Sequence, residues 1–233
     1  MSLDNIRIVL CRPEGSINIG SVCRAMKTMG LSRLYIVNPQ RNLEKEWIRN
    51  MAVHAYEIYE KAEFPESLAE ALEGCALSAG ITRRRGTKRK FFSHLPEEFA
   101  AKALSLEGEA ALVFGNERNG LKDDELACCN AAVHIPSNPD YPSLNLSHAV
   151  QVMTAALWRE SAGERVAKYT PISDKDREAI VDTIHTTLDC FNYFQSSDPD
   201  DIDAFFRDIL ARAALSKKEA RVMENIFMKI RYM

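Results

Sequence analysis

The sequence has few aromatic residues, little net charge and no long hydrophobic run. Of its 233 residues, 8% are aromatic, and 30 Lys and Arg against 33 Asp and Glu leave a formal net charge of −3. Overall charge therefore gives no argument for nucleic-acid binding, which would have to come from local clusters. The longest charge-free run, residues 141–158, contains Pro142, Asn145 and His148. It is too polar to span a membrane, so we predict a loop that enters a buried helix and no membrane partner.

The cysteines do not form the patterns that hold metals. None of the six belongs to a CxxC pair, and their spacing suits neither zinc nor an iron–sulfur cluster. We therefore expect buried, reduced thiols and no metal site. The first residues place Asp4 and Arg7 where a signal peptide needs an apolar core. This favours a cytoplasmic location.

Several common catalytic motifs are also missing. The glycines form neither the dinucleotide-binding pattern GxGxxG nor the P-loop pattern GxxxxGK[ST]. HExxH and GxSxG are absent as well. These absences weigh against NAD chemistry, phosphoryl transfer, metalloproteases and serine hydrolases of the nucleophile-elbow type.

What the sequence does contain is an alternation of short apolar runs with stretches of helical periodicity. Strands are predicted at residues 6–10, 34–37, 76–79, 111–114 and 132–135, and helices at 20–29, 43–61, 66–73 and 146–159. Continuously apolar strands are typical of a parallel sheet that is covered on both faces. The pattern therefore predicts an α/β fold with a mainly parallel sheet.

The last part of the chain has a different pattern, free of predicted strands. Helices are predicted from about residue 173 and at 200–214 and 216–230, with Ser173–Asp176 and Ser216–Glu219 in capping-box register. We predict one domain at residues 1–168 and a small all-α extension at 169–233. Residues 171–233 contain 9 Lys or Arg and 12 Asp or Glu, so the extension is not typical of a general RNA clamp.

Three polar segments each follow a predicted strand, where open α/β sheets bind ligands. In residues 16–30, Asn18 is a possible helix cap, and Arg24 lies among small and apolar residues that predict a buried helix. A buried guanidinium needs an anionic or oxygen-rich partner. The alternative is an ordinary surface arginine.

The other two segments are loops rich in glycine or proline. In residues 114–121, glycines flank Glu117 and allow close approach of a ligand, although an ordinary tight turn is the alternative. In residues 135–149, prolines fix the loop while Ser143, Asn145 and Ser147 offer hydrogen bonds at the start of a helix. Simple helix capping is the alternative there.

A basic cluster follows the predicted strand at residues 76–79. It consists of Arg83, Arg84, Arg85, Lys88, Arg89 and Lys90. This cluster is the strong electrostatic feature of a slightly acidic chain, and we predict that it contacts an RNA phosphate backbone. A solvated surface is the alternative.

Taken in order, N-x-G-x-x-x-R, F-G-x-E-x-x-G-L and I-P…S-L-N-L-S-x-A resemble the signature motifs of the SpoU or TrmH branch of the SPOUT methyltransferases. The resemblance covers about residues 3–160. Residues 25–31 and the helical extension are most similar to the TrmJ subgroup, which 2′-O-methylates nucleotide 32 in the tRNA anticodon loop. The resemblance implies a deep trefoil knot in the C-terminal part of the α/β domain, which is an exception to the rule against knots. It also implies a cytoplasmic homodimer that uses S-adenosylmethionine and acts on RNA.

The resemblance assigns roles to particular residues. The cofactor loops would comprise Ile81, Thr82, Arg83, Gly115, Asn116, Glu117, Ile135, Pro142, Ser143, Leu144 and Asn145. The catalytic residues would be Arg24, Asn18, Ser143 and Asn145. In such dimers the helix that bears the arginine faces the cofactor of the other subunit, which would account for a buried Arg24 without a partner in its own chain.

The implied reaction moves a methyl group from a sulfonium to a ribose 2′-hydroxyl. Because a guanidinium has a pKa above about 12, we favour Arg24 as an electrostatic stabiliser of the alkoxide, with a substrate phosphate or water as proton acceptor. Asn18 would position the ribose or Arg24, Glu117 would organise the cofactor pocket, and Ser143 and Asn145 would hold the ribose. We expect the helical extension to select the substrate. Methylation of ribosomal RNA and a non-catalytic RNA-binding protein that retains the cofactor site remain alternatives.

Overall fold

Six strands form one parallel sheet in the part of the chain that the computed structural model describes, which is residues 3–39, 43–83, 92–162 and 169–232. They are β1 (Ile6–Cys11), β2 (Arg33–Val37), β3 (Cys75–Ile81), β4 (Ser93–His94), β5 (Glu109–Phe114) and β6 (Ala131–Val133). Their order is β2-β1-β5-β3-β6-β4, and each neighbouring pair is parallel. All residues of β1 are buried, including Arg7, as expected for a parallel strand that is covered on both faces. The predicted α/β class is confirmed, whereas the trefoil knot stays a prediction.

Seven α-helices accompany the sheet within the described residues. They are α1 (Ser16–Thr28), α2 (Lys45–Ala52), α3 (Tyr56–Glu60), α4 (Leu68–Leu72), α5 (Pro96–Ser105), α6 (Asp123–Ala127) and α7 (Leu146–Ser161). Helix α1 packs on α2 and α7, and α7 also packs on α5. Because every strand of the sheet is parallel, the loops that follow β1, β3, β5 and β6 all leave from the same edge.

The helix predicted at residues 43–61 is wrong as a single element. It is divided into α2, a 3₁₀ turn at Val53–Ala55, and α3. The break lies at Val53, whose φ is 52°. A β-branched residue rarely adopts this left-handed conformation, so periodicity alone gives no sign of the break.

The chain divides into two compact units, Met1–Ala167 and Lys168–Met233. The described part of the second unit contains α8 (Asp174–Cys190), α9 (Pro199–Ala213) and α10 (Lys217–Arg231). Its core includes Ile180, Ile184 and Leu210. Ser173 with Asp176 and Ser216 with Glu219 form the predicted capping boxes. The predicted helical extension is therefore confirmed.

The predicted burial of the thiols is only partly right. Cys11, Cys23 and Cys129 are buried, but Cys128 and Cys190 are exposed. Cys128 follows the end of α6 and Cys190 ends α8, where the apolar pattern gives no information about which face the side chain takes. Burial raises the pKa of Cys11 and Cys23 to about 12, so both are protonated thiols at neutral pH.

Candidate active site

A cavity of about 150 Å³ lies at the carboxyl edge of the sheet. Its walls come from the loops after β3, β5 and β6 and from the start of α7. All the residues predicted to bind the cofactor line this cavity except Asn145. Two of the three polar segments identified by their sequence patterns, residues 114–121 and 135–149, thus converge on one site together with residues 81–83.

The loop after β5 folds tightly enough to place backbone at the cavity. The Gly120 N–H donates to the Asn116 carbonyl (3.0 Å), and the Asn119 N–H donates to the Asn116 side-chain oxygen (2.8 Å). A Cβ at Gly115 would lie 1.9 Å from the Gly120 carbonyl carbon. Only glycine therefore fits at position 115. The segment is a tight turn, as the alternative interpretation held, and it also forms a wall of the cavity.

Glu117 joins this loop to the start of α1. Its carboxylate accepts hydrogen bonds from the backbone N–H groups of Glu14 and Gly15 (both 3.0 Å) and from Asn18 Nδ2 (2.8 Å). Helix α1 has no acid in its first turn, and its N-cap residue Gly15 has no side chain. Glu117 therefore supplies, from 99 or more positions away in the sequence, the anion that a helix N-terminus favours.

Asn18 does not cap α1, contrary to our prediction. The helix begins at Ser16, so Asn18 lies within its first turn. Its side chain instead donates to Glu117 and accepts from Asn145 Nδ2 (3.0 Å). The apolar periodicity starts later than the helix does, and this placed the predicted boundary too far along the chain.

Asn145 combines capping with a link to α1. Its side-chain oxygen accepts from the backbone N–H (2.9 Å) and hydroxyl (2.8 Å) of Ser147 at the start of α7, while its Nδ2 donates to Asn18. Asn145, Asn18 and Glu117 thus form a continuous hydrogen-bonded chain through all three motifs. Ser143 lies two residues before Asn145, is exposed and lines the cavity.

Glu14 is a site residue that the sequence patterns did not identify. One of its oxygens accepts from Asn116 Nδ2 (2.9 Å), and the other pairs with Arg118 Nε (2.8 Å). Because both partners line the cavity, Glu14 helps to fix the cavity wall. The partners are more than 100 positions away in the sequence, so no local pattern reports the contact.

Arg12, which also went unnoticed, anchors the other end of the same loop. Its guanidinium binds both oxygens of Glu125 (2.6 and 2.8 Å) and donates to the Gly120 carbonyl (3.1 Å). Burial acts most strongly on the pKa of Glu125 and raises it, but the hydrogen bonds from Arg12 and from the Lys122 N–H, together with the charges of both residues, hold that pKa below its usual value. Two charged residues of the β1–α1 loop, Arg12 and Glu14, therefore hold the loop after β5 in place, which we call the cavity loop (residues 115–121).

Arg24 is exposed in the single chain, so the predicted burial is wrong at this level. Helix α1 buries Ile19, Val22, Cys23 and other residues on one face, and Arg24 lies outside that face. It does not line the cavity, and no described residue accepts a hydrogen bond from it in this structure. Small and apolar neighbours showed that the helix packs closely but did not show which side of it faces solvent.

The basic cluster is only partly described by the structure. Arg83 is exposed and lines the cavity, whereas Arg84, Arg85, Lys88, Arg89 and Lys90 lie outside the described residues. Among the described residues, no group of three His, Cys, Asp or Glu is arranged to hold a metal ion. No helix in that part of the chain is long and apolar enough to cross a membrane.

Comparisons with known proteins agree with the geometry. The model of a family described as the SpoU rRNA Methylase family matches residues 5–155. A tRNA (cytidine/uridine-2′-O-)-methyltransferase TrmJ from Pectobacterium atrosepticum is 37% identical over 98% of this chain and 97% of its own length. The structure of a probable methylase family protein from Haemophilus influenzae Rd KW20 superposes with a TM-score of 0.70 at 30% identity, covering 99% of this chain and 97% of that one. TrmJ from Z. mobilis ZM4 has a TM-score of 0.68 at 27% identity, covering 96% and 98%.

Proposed function

The chain belongs to the SpoU rRNA Methylase family, and we propose that it transfers the methyl group of S-adenosylmethionine to a ribose 2′-hydroxyl of tRNA. The observation that carries this proposal is the cavity itself. It lies at the carboxyl edge of a parallel sheet, and its glycine loop is tied through Glu117 to the helix that bears Arg24. Cofactor pocket and proposed catalytic helix are thus parts of one hydrogen-bonded assembly.

The residues that line the cavity fit S-adenosylmethionine. Ile81, Ile135 and Leu144 offer apolar surface for a purine ring, and Thr82 and Asn116 offer polar side chains for a ribose or an amino-acid group. At Gly115 the backbone forms the wall directly, because a Cβ has no space there. When bound, the cofactor supplies an electrophilic methyl group on a positively charged sulfur.

The chain's own residues then orient the ribose and stabilise its oxygen. Asn18 and Asn145 fix each other, and Asn145 also fixes the start of α7 next to Ser143. This preorganisation aligns the hydroxyl with the methyl group. The positively charged guanidinium of Arg24 stabilises the developing alkoxide, while the hydroxyl proton passes to a substrate phosphate or to water.

We propose that Arg24 serves the cavity of a second subunit in a homodimer. Within its own chain the side chain is exposed and does not line the cavity. A two-fold dimer would bring the two α1 helices to each other's cavities and give Arg24 the anionic partner that the described residues of its own chain do not provide.

The proposed substrate is tRNA, with cytidine or uridine at position 32 of the anticodon loop as the target. This assignment rests on the TrmJ relative, which matches nearly the whole chain, including the helical extension at residues 169–233. We propose that this extension is a separate domain that selects the RNA, that the basic cluster around Arg83 binds its backbone, and that the protein works in the cytoplasm.

The test is transfer of labelled methyl from S-adenosylmethionine to total tRNA and, in parallel, to ribosomal RNA, followed by mapping of the labelled nucleotide. We expect label on a ribose of the tRNA anticodon loop. Label in ribosomal RNA alone would retain the chemistry and overturn the substrate. Cofactor binding without transfer to either RNA would overturn the enzymatic proposal in favour of a binding protein.

A further inference from the structure

Tyr141 is an aromatic side chain left open to solvent beside the proposed active site. It is 81% exposed, and it directly precedes Pro142, Ser143 and Leu144, which line the cavity. A ring exposed to this degree buries almost none of its apolar surface in the fold. Its apolar surface is therefore available to a ligand rather than used in packing.

The loop holds Tyr141 in a defined turn. The Asp140 N–H donates to the Asn138 side-chain oxygen (3.0 Å), and the Tyr141 N–H donates to the Asn138 carbonyl (3.1 Å). The Ser137 hydroxyl donates to the Pro142 carbonyl (3.0 Å), which closes the loop around the turn. Pro139 and Pro142 fix the backbone further. The ring is consequently presented at low entropic cost to a ligand.

The proposed reaction creates a need for such a ring. A nucleotide that leaves the stack of an RNA loop can place its ribose 2′-hydroxyl deep in a cavity, but leaving the stack costs stacking energy. An aromatic side chain recovers that energy, and it does so for any base because every base has a π face.

We propose that Tyr141 is the platform on which the base of the target nucleotide stacks while its ribose is methylated. The inference rests on the proposed function and adds a base-binding subsite to it. Stacking recognises an aromatic ring rather than a hydrogen-bond pattern, so the subsite accepts cytidine and uridine alike.

The first experiment compares Tyr141→Ala, Tyr141→Phe and Tyr141→Trp in the full-length protein. The probe is an unmodified tRNA transcript, and the readouts are its Kd, the Kd of S-adenosylmethionine and Tm. We expect Tyr141→Ala to weaken tRNA binding about 5- to 150-fold, the range of one lost base–aromatic stack. The Phe and Trp variants should stay within about twofold of wild type because they keep the ring.

The controls separate stacking from general damage. Cofactor affinity and Tm should not change in the Ala variant, because the Tyr141 side chain makes no packing contact that the fold requires at 81% exposure. Phe64→Ala is the matched aromatic control, since Phe64 is 51% exposed but lines a different cavity with Arg7, at the amino end of β1. It should leave tRNA binding unchanged.

A second probe identifies which part of the RNA meets the ring. An anticodon stem-loop with an abasic ribose at the target position should bind the wild-type protein as weakly as the normal stem-loop binds Tyr141→Ala. The Ala variant should lose nothing further on the abasic probe. An unchanged Kd in Tyr141→Ala, an equal loss in Tyr141→Phe, or additive losses on the abasic probe would overturn the stacking proposal. These binding measurements need no methyl transfer, so a wild-type protein that transfers no methyl group overturns the proposed function alone.

Discussion

Glu14 and Glu117, which are 103 positions apart in the sequence, each contact the loop that contains the other. Glu117 accepts from the backbone at the start of α1, and Glu14 holds the side chains of Asn116 and Arg118 in the cavity loop. Each loop thus supplies the carboxylate that the other needs. A change in either carboxylate affects the cavity wall and α1 together.

At the same scale, the lack of space at Gly115 predicts that a larger residue there lowers both stability and cofactor affinity. The Gly115→Ala variant would place a Cβ 1.9 Å from the Gly120 carbonyl carbon, so the cavity loop must move. We expect the free energy of unfolding to fall by about 1–3 kcal/mol, as for overpacked cores. The Kd of S-adenosylmethionine, measured by calorimetry, should rise at least about tenfold.

Gly74→Ala is the matched control for this variant. Gly74 lies next to the start of β3, away from the cavity, and has a positive φ of 77°. A Cβ there would meet only Arg7 Nη2, at 3.8 Å. We expect a cost of about 1–2 kcal/mol from the left-handed backbone and unchanged cofactor affinity. Wild-type affinity in Gly115→Ala would show that this loop does not shape the cofactor site.

The sequence motifs predicted which residues come together better than they predicted the local contacts of those residues. Asn18, Glu117 and Asn145 do come together, because motifs that follow parallel strands converge on one edge of the sheet. Arg12 and Glu14 escaped notice because their partners are more than 100 positions away in the sequence, in the loop after β5 and in α6. Within the local sequence, their charges are typical of an ordinary polar turn.

At the scale of elements, the strands and the terminal helices were the most predictable. β1 is buried along its whole length and α8 begins with a capping box, so short-range pattern and final structure agree there. β4 is two residues long and α6 is five, which is too short for a periodic pattern to develop. Such elements depend on tertiary contacts, which a single sequence does not display.

One of these contacts, the link from the β1–α1 loop to α6, predicts a pH effect. Burial opposes ionisation of Glu125, but the hydrogen bonds and charges of Arg12 and Lys122 together lower its pKa in the folded state. The carboxylate therefore adds stability above its unfolded pKa of about 4.3, and this stability is lost as pH falls through the lower folded pKa. Urea unfolding between pH 7 and pH 3 should show this loss in the wild type.

The Glu125→Gln variant should remove the effect. We expect a loss of about 1.5–3 kcal/mol at pH 7, the range for hydrogen bonds to charged groups, and a flatter curve at acid pH. Glu97→Gln is the control, because Glu97 pairs with Arg159 at 2.9 Å on the surface, with both side chains more than half exposed. It should cost less than about 1 kcal/mol. Parallel pH curves for wild type and Glu125→Gln would contradict the assigned role.

At the scale of the whole molecule, the exposure of Arg24 and the position of the cavity have to be explained together. The chain builds a pocket at one edge of its sheet and leaves its proposed catalytic arginine off that pocket, on α1. An isolated subunit would then bind cofactor but lack the group that stabilises the alkoxide. In the proposed homodimer, pairing of two subunits would complete both sites at once.

Mixed dimers test this arrangement directly. Arg24→Ala keeps its cofactor pocket but should lose about 10²- to 10³-fold in methyl transfer, the usual cost of removing one electrostatic stabiliser. Gly115→Ala keeps Arg24 but should lose its pocket. When the two inactive variants are unfolded and refolded together, the intact pocket of one subunit meets the intact Arg24 of the other. Random pairing then restores about a quarter of wild-type activity per subunit, because about half of the dimers are mixed and each holds one complete site. Refolding each variant alone controls for the procedure, and a mixture no more active than its components would show that Arg24 serves its own chain.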